Sequence, residues 1–199
     1  MLIILILGII SLPAAALPER GADADTISLT GQVLIASPET GDPRFKQTVV
    51  LLLRHNESGA VGIVVNRPIG ERPLARIMEV IGEDPSGVEG SVPMFAGGPV
   101  SPDIGFVVHS EDYHRIETLQ IGQHLAMTST REILSDIAHK KGPKKFLIAF
   151  GYAGWGPGQL EVEIAQHGWF TAPADSDLIF DENRGTLWEE AMKRRKRQL

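Results

Sequence analysis

Apolar and polar positions follow a clear period in several stretches of the 199-residue chain. Gln32–Ala36 is a short apolar strand. Thr48–Arg54 (TVVLLLR) is an unbroken run of β-formers, the pattern of a strand buried on both faces. HNESG turns the chain and Ala60–Asn66 (AVGIVVN) returns, which predicts a hairpin. Gly62 inside that strand marks a bulge or a close backbone approach. Arg72–Ile81 places Leu74, Ile77, Met78 and Ile81 on one helical face, with Pro73 in its first turn. Val92–Phe95, Gly105–His109, His114–Leu119 and His124–Met127 read as further strands. Thr128 or Ser129 caps a helix through Lys140, stopped by Gly142-Pro143. Lys145–Phe150 is a buried strand, and Thr186–Arg197 a last helix with Leu187, Trp188, Ala191 and Met192 on its inner side.

GPGQLEVEIAQHGWF, from Gly156, fits two periods. Leu160, Val162 and Ile164 alternate with Glu161 and Glu163 as in a strand, while Leu160, Ile164 and His167 recur as in a helix. Pro157 suits a first helical position, Gly156 an N-cap, and the two glutamates a helix N-terminus. The helix reading is therefore preferred, with Val162 off its apolar stripe and Gly168 as its stop. Strands interrupted by scattered helices, without a βαβ rhythm, predict an α+β fold.

Composition changes this picture little. The chain is 43% hydrophobic and 22% charged, as expected of one domain with a real core. A net charge of −6 argues against a protein built mainly to bind nucleic acid. Cysteine is absent, which excludes disulfides and thiolate chemistry. MLIILILGIISL is apolar but short for a membrane span, and Ala14-Ala15-Ala16 resembles a signal-peptidase site. No Lys or Arg precedes the run. Residues 1–28 are thus expected to be a leader and linker, and export to the periplasm follows if the leader is a signal peptide. An uncleaved anchor and a misassigned start codon are the competing readings.

Candidate chemistry is sparse. GYAGWGPG follows a strand and precedes a helix, the geometry of a phosphate cradle, but lacks a P-loop lysine. A tight structural turn with Trp155 packed over it is the preferred reading. HSEDYH gathers His109, Glu111, Asp112 and His114 without HExxH spacing, so no metal is expected. No GxSxG elbow is present, and a general acid–base pair would need His55 or His109 beside a carboxylate. Arg67 suits a bidentate anion contact or, preferably, an ion pair with Asp42. The basic run MKRRKR reads as a solvated helix end that touches anionic surfaces weakly.

LTGQVLIASPETGDPRF, HNESGAVGIVVNRPIG, FAGGPVSPDIGFVVH and GYAGWGPGQLEVEIAQHGWF together resemble the AlgH/YqgE family of bacterial proteins, over about Leu29 to Phe170. The resemblance implies a single domain at 29–199: an α+β fold with a bifurcated, mixed or antiparallel, partly barrel-like sheet surrounded by helices. Members are usually cytosolic, which stands against the leader. One member carries the label of a transcriptional regulator, yet no helix-turn-helix is visible here. Asp42, His55, Asn66, Arg67, His109, Tyr152, Trp155, Gln159 and Glu161 match the family's polar motifs and form a candidate ligand crevice. The expected function is a non-enzymatic binding or regulatory protein for an unknown small ligand or protein partner, without cofactor and without sequence-specific nucleic acid. The alternatives are a hydrolase-like or metal-assisted enzyme with a histidine base, and a transcription-linked regulator.

Overall fold

The β-rich segments assemble as one curled sheet, and its interior supplies the main core. The structure, a computed structural model, describes residues 28–195. The expected leader (bar Ser28) and Lys196-Arg197 of the basic run lie outside the described residues. The strands are β1 (Gln32–Ala36), β2 (Val49–Asn56), β3 (Gly59–Val64), β4 (Pro68–Pro73), β5 (Ser91–Ala96), β6 (Val100–Ser110), β7 (Leu119–Ile121), β8 (Leu125–Thr128), β9 (Phe146–Trp155) and β10 (Trp169–Pro173). The helices are α1 (Leu74–Ile81), α2 (Arg131–Ala138), α3 (Gln159–Ala165), α4 (Ser176–Ile179) and α5 (Leu187–Arg194). The α+β class and the mixed, bifurcated, half-barrel sheet are as expected.

The strands run in the order β10-β1-β2-β3-β9-β6-β8-β7, and β5 and β4 branch from the middle. The fork lies on one edge of β9. Its first half pairs parallel with β5 (Met94↔Ile148 to Ala96↔Phe150), and its second half pairs antiparallel with β3 (Ala60↔Trp155 to Gly62↔Ala153). β6 holds the other edge. The partner changes at Gly151, whose φ is +72°. A Cβ there would stand 2.4 Å from the Gly98 carbonyl oxygen, and one at Gly98 would stand 2.1 Å from the Tyr152 carbonyl carbon. Two chains cross there with no room for a side chain.

This corrects the reading of GYAGW. It is neither a phosphate cradle nor a turn into a helix, because β9 continues through it to Trp155. Gly154 has ordinary φ, and a Cβ there would meet only the Tyr152 ring at 3.5 Å. The helix after it is present, but it starts at Gln159 with Gly158 as N-cap, so Pro157 precedes it rather than opening it.

Three other expectations change. His114–Leu119 is not a strand: Arg115 N–H is taken by Thr118 Oγ1, and the chain turns until Leu119. Pro73 caps α1 from outside its first turn. Strands β4 and β10 have no counterpart in the sequence reading. β4 is exposed at every position and so lacks alternation.

Inside the curl, β1, β2, β3, β6, β7, β8, β9 and β10 all contribute to one cluster, which α4 and α5 cover through Leu178, Ile179, Leu187 and Ala191. On the outer face, α1 and α2 pack over β5, β6 and β9. α3 and Phe45 pack over β1–β3 and the end of β9.

Candidate functional site

The hairpin β2–β3 decides where His55 points. Val50 and Leu52 face α3, so strict alternation would send Arg54 there next. The register slips between Leu52 and Arg54. With one extra residue, Arg54 lies opposite Val61 and His55 lies opposite Ala60, on the α3 side. Gly62 stands beside this bulge, and a Cβ on it would come within 2.6 Å of Val50 Cγ1.

His55 then meets α3. Its Nε2 lies 2.7 Å from Glu161 Oε1, and the Leu29 backbone N–H donates to its Nδ1 at 3.1 Å. A backbone N–H only donates, so Nδ1 carries the lone pair and Nε2–H donates to the carboxylate. The ring is 5% exposed. Glu161's own backbone N–H holds its carboxyl below the usual glutamate range; burial opposes this, and the bond to His55 adds a smaller lowering. The pair has the composition of an acid–base dyad, but neither imidazole nitrogen is open to a substrate.

Two residues on, Glu163 flanks the Leu160–Ile164 stripe of the same helix from the other side. Trp155 Nε1 and Trp169 Nε1 both donate to its Oε2, at 2.9 and 2.8 Å. Gln159 Nε2 donates to Oε1 at 2.8 Å, while Gln159 Oε1 accepts the Gly156 N–H. The two indoles meet edge to face, and Phe45 meets Trp169 in the same way. Trp155, Gln159 and Glu161 of the candidate set are thus brought together with His55, and Glu163 and Trp169 join them. The signal for those two was present: two tryptophans flank a short helix whose glutamates are two residues apart.

Asn66 and Arg67 sit at the other end of the hairpin. Asn66 Oδ1 accepts the Val49 N–H and its Nδ2 donates to the Gln47 carbonyl. Arg67 Nη2 donates to the Lys46 carbonyl and to Thr48 Oγ1. The expected Arg67–Asp42 ion pair does not form. Asp42 caps the 3-10 turn at Pro43 and is bound by Arg44, two residues away and better placed. From Val49 to His55 along β2 is about 20 Å, so these residues do not share a crevice with His55.

His109 is in a third place, wholly buried, opposite Phe146 at the far end of β9 from Trp155. Nδ1–H donates to the Ser110 carbonyl at 2.8 Å. Nε2 accepts from Thr128 Oγ1 at 3.0 Å, and Thr118 Oγ1 lies 2.8 Å behind that hydroxyl. Burial pushes the His109 pKa down. Tyr113 lies edge-on to the ring, and its hydroxyl donates to Asp136, which Arg115 also binds. Burial, then that bond, pushes the Tyr113 pKa up to about 12. Tyr152 is apart from all of these, on the interior side of the sheet against Phe106.

Among the described residues no group of three His, Cys, Asp or Glu is placed to hold a metal ion. In HSEDYH, Asp112 takes the Ser110 hydroxyl and Glu111 pairs with His124. A void of about 10 Å³ between α1, α2 and the sheet is walled by Ile77, Met94, Leu134, Ile148 and Phe150. That is roughly one water's volume, too small for a ligand.

Residues 33–199 match the AlgH-like family DUF179. The chain belongs to that family. A UPF0301 protein of Ruegeria pomeroyi is 42% identical, with 84% of this chain and 91% of its own covered. One of Jannaschia sp. is 44% identical over 84% of this chain and 88% of its own. The solution structure of the AlgH protein from Pseudomonas aeruginosa superposes with a TM-score of 0.72 at 39% identity, covering 87% of this chain and 92% of that one. The crystal structure of a Corynebacterium diphtheriae protein, 22% identical, shares the fold with a TM-score of 0.67 over 90% of this AlgH-like chain and 91% of its own.

Proposed function

We propose that this AlgH-like protein is a non-enzymatic binding or regulatory protein, whose ligand is a small molecule or a protein partner. The observation that carries the reading is the state of its two buried imidazoles. His55 and His109 each have both nitrogens committed, to Leu29 and Glu161 in one case and to Ser110 and Thr128 in the other. A histidine base needs a free lone pair within reach of a substrate proton, and neither ring offers one.

The regulator reading finds little in the basic end of α5. Lys193 pairs with Glu190, Arg194 with Asp175, and Arg195 lies over the Phe170 ring. Binding to duplex DNA is expected to be weak, steeply salt-dependent and blind to sequence. Among the described residues no helix is long and apolar enough to cross a membrane. We read the leader as an export signal, with the periplasm as the compartment and the cytoplasm as the alternative that fractionation would reveal.

Native mass spectrometry of freshly purified protein, paired with an ester and phosphoester turnover screen, tests the proposal. The expected result is a retained small molecule or partner and no turnover. Turnover that His55→Gln or His109→Gln abolishes would contradict it.

A further inference from the structure

We propose that the rim of the half-barrel near the β2–β3 corner binds a small carboxylate with an apolar or aromatic body, held by Arg54 against Tyr152. The proposal rests on the binding-protein reading and gives it a site and a ligand class. Arg54 faces the barrel interior because of the bulge that sends its neighbour to α3: it lies opposite Val61, on the side of Ile63 rather than of Ala60. Its guanidinium Nε is shut off from water and has no hydrogen-bond acceptor among the described residues. Nor does any described carboxylate form an ion pair with it. A buried, unpartnered donor on a cation is an uncommon expense in a native fold and invites an acceptor.

The surroundings fit a ligand rather than a missing structural partner. Val61 lies opposite Gly154 in the next strand, and Gly154 is exposed and presents no side chain. The Tyr152 ring borders that bare floor. Leu53, Ile104 and Tyr152 are half-buried members of the interior cluster. α5 instead packs on β1, β2 and β10, where Trp188 Nε1 reaches the Ala36 carbonyl at the opposite end of β1 from Gln32. An arginine edge offers Nε–H and one Nη–H side by side, which matches the two oxygens of a carboxylate. The aromatic and aliphatic rim suits the body behind it. Nε, shut off from water, has to turn toward the mouth to meet the ligand.

Benzoate is the probe. In a ¹⁵N-labelled full chain, the Arg54 Nε–H resonance is assigned by its loss in Arg54→Lys. Benzoate is expected to shift that resonance saturably, while benzamide, of the same shape without charge, leaves it in place. Inorganic phosphate is expected to bind at least tenfold more weakly. Tyr152→Ala should weaken benzoate about tenfold and Tyr152→Phe should not. An Arg54 resonance unmoved by benzoate, or moved equally by benzamide, overturns the site whether or not the Tyr152 variants fold. A ligand found by native mass spectrometry that leaves this resonance unmoved would sink the site and spare the binding-protein reading.

Discussion

At the scale of single residues, Glu163 shows how one polar side chain ties α3 to the sheet. Three donors converge on one carboxylate, and two of them are indoles that also pack on each other. Hydrogen bonds to a charged group contribute more than neutral ones, so Glu163→Ala should cost about 2 kcal/mol. Glu163→Gln should cost less, since its carbonyl still accepts the indoles while its amide faces that of Gln159. Urea denaturation followed by tryptophan fluorescence gives both values. Glu161→Gln keeps an acceptor for His55 and should cost under about 1 kcal/mol at neutral pH.

Two residues also set a pH dependence. The folded Glu161 carboxyl titrates below its ordinary 4.5, so its stabilising contribution is complete above that value and is lost as pH falls through the folded pKa. For His109, burial places the folded pKa below the ordinary 6.5. The unfolded chain then takes up the proton first as pH falls, and stability drops below about 6.5. Denaturation midpoints measured from pH 7 to 5 should fall in the wild type and fall less in His109→Gln, whose amide can replace the donor and acceptor.

At the scale of elements, the fork in β9 explains the glycines around it. Gly151 is at positive φ and touches Gly98 backbone, so Gly151→Ala should cost roughly 3 kcal/mol or more. Gly154→Ala should stay within about 1 kcal/mol, because only the Tyr152 ring is near. Chemical denaturation of the two variants separates a fork from a simple turn, in which both would suffer. Most elements were legible because their apolar period is set by burial: β1, β2, β3, α1, α2 and α5 lie near their expected positions. What was not legible depends on partners distant in sequence. No local signal in TVVLLLRHN places an extra residue at Leu53, yet that bulge decides that His55 and not Arg54 meets Glu161. β4 was hidden because both its faces are exposed, and β10 because its apolar residues follow a helix stop at Gly168.

At the scale of the whole molecule, the candidate set divides into separate places: the α3 face, the loop below the hairpin, the buried His109 and the barrel rim at Tyr152. Residue types were a fair guide to which side chains bond, and a poor guide to which of them meet, since the two ends of one strand, as at Val49 and His55, lie about 20 Å apart. The N-terminal boundary belongs to this scale too. Ser28 Oγ donates to the His55 carbonyl, so the fold already engages that residue. A chain starting at Ser28 is expected to melt within a few degrees of the full chain, and one starting at Leu29 slightly lower. A large drop for the Ser28 start, read by calorimetry, would show that the leader belongs to the fold.

The central claim is that both buried imidazoles are structural and locked. A long-range ¹H–¹⁵N spectrum of the imidazole rings at pH 7.5 tests it directly. The account predicts a single Nε2–H tautomer for His55, with Nδ1 accepting from Leu29, and a single Nδ1–H tautomer for His109. Averaged tautomers in either ring, or a proton on the His55 nitrogen that faces Leu29, would contradict it and return that histidine to the list of possible bases.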